Sequence, residues 1–138
     1  MRTLIVAACL TATAQAATAE QVRCPEIVGV EQRAVSPPGG WQARDEGTPA
    51  RLASIIIFDG PPEDGASLVP DQNHSGPRPH AVWKLDAKNE RGYWIGCVYA
   101  STTIMLTKKL PPVSSCDASY DASVTVAGLP SVTAIECK

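Results

Sequence analysis

Apolar and polar positions alternate with a period of two along most of the chain, and no stretch sustains an amphipathic helical period. The strongest segment is Tyr93–Tyr99, YWIGCVY, with Tyr93, Ile95, Cys97 and Tyr99 on one face and Trp94 and Val98 on the other. Aromatic and β-branched residues in this pattern predict a strand. Ala100-Ser101-Thr102 reverses the chain, and Thr103–Leu110 alternates through Ile104, Leu106 and Leu110. The pair reads as a hairpin that is apolar on both faces and therefore lies in the core. Gly96 inside its first strand predicts a bulge or a close approach by another backbone.

A second strong strand covers Arg51–Asp59, with Leu52, Ile56 and Phe58 on one face and Ala53, Ile55 and Ile57 on the other. Three consecutive isoleucines favour a strand over a helix, and Gly60-Pro61-Pro62 stops it. A run apolar on both faces predicts a central strand, with Ile56 as a core position. Weaker strands are expected over Gln21–Cys24, continued by Ile27–Val35, and over Ala81–Leu85, Cys116–Val126 and Val132–Cys137. Asp86–Gly92 reads as a hairpin loop, and Gly128-Leu129-Pro130 as the last turn. Gly60–His80 contains five prolines and three glycines, which predicts a long irregular loop. The fold class expected is all-β: a single antiparallel β-sandwich or an incomplete β-barrel.

The first residues change the picture. Met1-Arg2 is a short positive start, Leu4–Leu10 is apolar, and Ala14-Gln15-Ala16 and Ala17-Thr18-Ala19 fit a signal-peptide cleavage pattern. Residues 1–19 are therefore expected to be a removed signal peptide, with cleavage after Ala16 or Ala19, and residues 20–138 to form the domain. Cys9 sits too early, with too little apolar sequence before it, to serve as a lipoprotein cysteine. The expected location is periplasmic or secreted, and no later segment approaches membrane-spanning length.

Removing the leader takes Cys9 from the five cysteines and Arg2 from a formal net charge of −2. An even set remains, Cys24, Cys97, Cys116 and Cys137, which in an exported chain implies two disulfides. Four cysteines allow three pairings. If the last two strands are antiparallel, Cys116 faces Cys137, which leaves Cys24 with Cys97. The competing pairing joins Cys97 to Cys116 and Cys24 to Cys137. Mild acidity without a basic cluster argues against nucleic acid and anionic membrane surfaces as partners.

Candidate chemistry is sparse. His74 and His80 flank Pro77 and Pro79 and match no standard metal spacing, so neither a metal nor another cofactor is expected. No serine lies in a nucleophile elbow. Asp45, Glu46, Asp59, Glu63 and Asp64 fall on polar loops, where carboxylates ordinarily serve solubility. Trp41 follows a Pro-Pro-Gly-Gly turn and is expected to pack over a sheet edge, with a role as a binding aromatic as the alternative.

The landmarks occur in the order V-R-C-P, G-W, R-L-A-S-I-I-I-F-D-G-P-P, L-V-P-D, V-W-K-L, Y-W-I-G-C-V-Y, K-L-P, Y-D and I-E-C. This order resembles an uncharacterised family of small exported proteins of Gram-negative bacteria. The resemblance implies location and carries no catalytic residue.

The function expected is binding of another envelope protein, in the form of an inhibitor or immunity protein against a cell-envelope hydrolase. Two other readings stand beside it: a structural accessory subunit of an envelope complex, and a hydrolase of a cell-wall polymer working through loop carboxylates and histidines. The expected partner-contacting surface is the Gly60–His80 loop, through Asp71, His74, Arg78 and His80, with Trp41 beside it.

Overall fold

The structure is a computed structural model that describes residues 20–138; the leader and Cys9 lie outside the described residues. Ten strands run in the order β1 (Glu20–Gln21), β2 (Ile27–Val28), β3 (Ala50–Asp59), β4 (Ser67–Leu68), β5 (Gln72–His74), β6 (His80–Lys84), β7 (Tyr93–Tyr99), β8 (Met105–Lys109), β9 (Ser115–Val126) and β10 (Leu129–Cys137). They form two antiparallel sheets, β1-β10-β9-β6-β5 and β2-β3-β7-β8, with β4 added to β3. The sheets do not close into a barrel, so the sandwich expectation holds.

The core lies between the sheets because period-two alternation sends one set of side chains inward from each strand. Ile55 and Ile57 of β3 and Ile95 of β7 meet Ala81 and Trp83 of β6, Cys116 and Ala118 of β9, and Ile135 and Cys137 of β10. Ile57 and Ile95 are opposite each other in the β3–β7 ladder, and both are completely buried. A second buried cluster, Ala50, Leu52, Cys97 and Tyr99, occupies one end of the sandwich. The disulfides are Cys24–Cys97 and Cys116–Cys137, the pairing favoured by the antiparallel argument. Cys116 and Cys137 are direct cross-strand partners with Cα atoms 4.1 Å apart. Each bridge is expected to contribute about 2–4 kcal/mol, largely by restricting the unfolded chain.

Several expectations are corrected. A register shift between Leu52 and Ser54 inserts Ala53 as a bulge, so Leu52 shares the inner face with Ile55 and Ile57. Ile56 instead points outward beside Phe58 and is only half-buried. Gly96 carries no bulge, since the ladder runs through Ile56–Gly96 unbroken. Its lack of a side chain leaves room for others: an added Cβ would lie 2.5 Å from Met105 Sδ and 3.0 Å from Phe58 Cε2. Strand β8 is an exposed edge and not a core strand; its Lys108 and Lys109 carry charge at the margin, a common way of discouraging strand addition. The entry region holds only the two-residue strands β1 and β2. Asp86–Gly92 joins β6 of one sheet to β7 of the other, so it is an inter-sheet arch and not a hairpin loop. The last turn is Ala127-Gly128, both at positive φ (51° and 80°) as a two-residue hairpin turn requires, and Leu129 and Pro130 belong to β10.

The two isoleucines give a direct test of this register. Ile57→Asp should abolish soluble folding, because an unpaired carboxylate in the core costs several kcal/mol against a total stability of about 5–15 kcal/mol. Ile56→Asp should still yield a folded domain with a lowered denaturation midpoint. Equal behaviour of the two variants in soluble yield and urea unfolding would contradict the assigned faces.

Candidate functional site

The two ends of the sandwich differ. At one end Gly60 and Gly92 meet, with Gly60 N donating to Gly92 O at 2.9 Å. Arg91 reaches Asp64 at 2.8 Å and lies 4.0 Å from Asp59, whose other oxygen accepts from Asn89 Nδ2 at 2.7 Å. Gly60 sits at φ 92°, and a Cβ there would run into the Arg91 guanidinium, so glycine is required for this closure. Asp59 and Asp64, candidate carboxylates in the sequence, are thus engaged in tying two loops together.

The other end gathers the open elements. Here β3 begins, β7 ends in the Ala100–Thr102 turn, the β9–β10 hairpin runs beyond its neighbours, and the N-terminal segment crosses from one sheet to the other. That crossing, residues 22–28, forms a strap. It leaves β10 after β1, is bridged to β7 through Cys24–Cys97, and pairs with β3 through β2. Tyr99 Oη donates to Pro25 O at 2.9 Å, and Leu52 N donates to Glu26 O at 2.9 Å. Burial raises the pKa of the Tyr99 hydroxyl above its ordinary value. Under the strap is a cavity of about 530 Å³ with Leu52, Val132 and Ile135 among its apolar lining and Arg51 and Glu26 at its rim. The hairpin arm beside it exposes Val124 and Leu129.

The Pro-rich stretch also reaches this end, but as built structure. Its prolines stand at positions 61, 62, 70, 77 and 79 and leave Ser67–Leu68 and Gln72–His74 free to pair, so the expectation of an irregular loop fails there. A short 3-10 turn covers Pro62–Asp64. Trp83 Nε1 donates to Leu68 O at 3.1 Å, which fixes the middle of the stretch to the core. Its second half is the β5–β6 hairpin with residues 75–79 at the tip. His74 and His80 are cross-strand partners, their rings stacked with centroids 4.2 Å apart. Arg78 is exposed at the tip, and Pro79 O accepts from Tyr120 N at 2.9 Å. Asp71 sits at the open end of the hairpin, where its carboxylate accepts from Lys84 N at 2.6 Å. Asp71 therefore positions the hairpin, while His74, His80 and Arg78 come together near its tip.

Trp41 does not pack over a sheet edge; it is 75% exposed on a segment whose residues 31–49 are all exposed. The segment is nonetheless tied down. Asp45 accepts from Gln32 N at 2.9 Å and Gly47 N at 3.0 Å, and Gln32 Nε2 donates to Ser101 O at 3.2 Å. The backbone donors of Gln32 and then Gly47 hold the Asp45 carboxyl below its usual pKa. The strap and the exposed Val124 and Leu129 went unrecognised in the sequence. The preferred Cys24–Cys97 pairing, which spans 73 residues, was the signal available for the strap.

This division of roles predicts different outcomes for neighbouring substitutions. Asp71→Ala should lower stability by about 1 kcal/mol through the lost hydrogen bond. Arg78→Ala and Trp41→Ala, at exposed positions, should stay within about 0.5 kcal/mol of the parent. Thermal unfolding of the three variants checks this.

Comparison with known proteins bears on residues 46–138, which match the Type VI secretion system Tli immunity protein family. No curated protein and no solved structure matches the chain. The matched region runs from just before β3 to the C-terminus and contains β3 to β10, and the chain belongs to this family. That membership supports the inhibitor-or-immunity expectation drawn from the sequence.

Proposed function

We propose that this Tli-family immunity protein acts in the periplasm, where it binds an effector that hydrolyses a cell-envelope component and blocks it by occlusion. Family membership is the observation that carries the reading. In this reading residues 1–19 are an export leader and 20–138 the working domain. Two disulfides suit an oxidising compartment.

Occlusion needs a rigid surface and no chemistry of its own. The open end of the sandwich supplies that surface, since Arg91, Asp59 and Asp64 at the opposite end are engaged with one another. Trp41 is the anchor: a large ring already held out in solvent loses little freedom on docking and buries much area. Arg78, flanked by Pro77 and Pro79, presents a guanidinium on a stiff tip suited to an effector carboxylate. The His74–His80 stack beneath it supports the tip. Asp71 contributes by holding the hairpin in register.

The test is protection of cells that lack this protein against a sister strain delivering the effector. The full chain should restore survival, and a version without residues 1–19 should not. Trp41→Ala should weaken capture of that effector by about 30-fold, the effect of a typical interface hot spot, with Arg78→Ala adding to the loss. Protection by the leaderless chain would overturn the periplasmic reading. Undiminished capture by the double variant would move the surface elsewhere.

A further inference from the structure

The two disulfides differ in their shielding and in what they hold. Cys116 and Cys137 are both at 0% exposure, on adjacent strands whose ladder already places them opposite each other. Cys97 is buried too, but its partner Cys24 is only half-buried and stands on the strap. A thiolate arriving from solvent therefore meets the least obstruction at Cys24, and access is a main determinant of exchange rate.

Val22, buried in the larger cluster, anchors the start of the strap. Beyond Cys24 the non-covalent hold includes the two-residue β2 ladder, the hydrogen bonds from Leu52 N and Tyr99 Oη, and an Arg51–Glu26 ion pair at 3.4 Å between well-exposed side chains. Exposed ion pairs contribute little. Cys24, Val28 and Val30 pack only partly buried against the second core cluster. The larger cluster keeps its two-sheet packing and the Cys116–Cys137 bridge without calling on β2. One bridge thus duplicates a ladder, and the other fastens the mostly exposed stretch that follows Val22.

We propose that Cys24–Cys97 is a redox-sensitive lock on the strap. A dithiol reductant opens it: one thiolate attacks the Cys24 sulfur, the S–S bond breaks, and Cys97 leaves as a thiolate that takes up a proton. The second reductant thiol then displaces Cys24. The reductant departs as a disulfide, and the chain gains two electrons and two protons. A disulfide-bearing oxidant reverses both steps. In the opened form the strap leaves β3 and β7 and uncovers Leu52 and Tyr99, while the sandwich body stays folded. The open end is consequently complete only after oxidation, so a chain held among reducing thiols carries the core but not the finished surface.

The oxidised domain incubated with dithiothreitol, without denaturant, and then alkylated and peptide-mapped gives the first test. Modification should reach Cys24 and Cys97 together while Cys116 and Cys137 remain bridged. In the same sample, amide exchange over residues 24–30 and at Leu52 and Tyr99 should rise by about tenfold or more, with Val22 and the β9–β10 core still protected. C24S/C97S should reproduce that exchange pattern and still unfold cooperatively. Four results would each overturn the proposal: simultaneous opening of both bridges, opening of neither short of global unfolding, an opened bridge with unchanged strap exchange, or a C24S/C97S chain that fails to fold. No effector enters these measurements, so their outcome is independent of the proposed function.

Discussion

Everything in this molecule depends on the contact of Ile57 and Ile95 across the β3–β7 ladder with the opposing sheet. Both side chains are fully buried, and together with Trp83, Cys116 and Cys137 they fill the space between the sheets. A domain of this size buries a modest share of its surface, so a few fully enclosed side chains carry much of the stability. No polar or charged residue is fully buried among the described residues. The core thus asks nothing of charged side chains, and these remain for the surface.

The ends are organised on opposite principles. At the Gly60–Gly92 end, Arg91, Asn89, Asp59 and Asp64 engage one another through their side chains. At the strap end the fastenings run mainly through backbone groups: Asp45 to Gln32 and Gly47, Tyr99 to Pro25, Tyr120 to Pro79. Such bonds fix the course of the chain and leave side chains such as Trp41 and Arg78 uncommitted to the fold. A segment can in this way be irregular and exposed yet hold a defined shape.

The sequence made the body legible and the ends much less so. Tyr93–Tyr99 was recovered with its exact bounds, and Ala50–Asp59 to within one residue, because a fully paired strand declares itself through alternation and β-branching. The pairing of Cys116 with Cys137 followed from placing two strands across one turn. The faces of β3 were misread because a single bulged residue, Ala53, inverts the phase on one side of it, and alternation carries no mark of where a bulge falls. The Pro-rich stretch misled for a different reason. Proline forbids pairing at its own position but says nothing of the three residues between Pro70 and Pro77 that form β5. Trp41 was expected to seek burial; its exposure is a tertiary fact, set by the Asp45 clasp and the Ser101 contact that hold its segment away from the sheets.

An immunity protein must match one effector closely while keeping a fold that tolerates change at the point of contact. Substitution of a core side chain such as Ile57 is costly because close packing transmits any change in volume or charge. Substitution at exposed positions away from caps and networks is nearly neutral to stability. A sandwich that confines its close packing to the interior, stiffens its end segments through backbone hydrogen bonds and leaves the outward side chains unburdened separates those two demands. On the proposed contact surface, partner choice would change by replacing side chains at the strap end, with the Ile57–Ile95 contact and the ladder around it undisturbed.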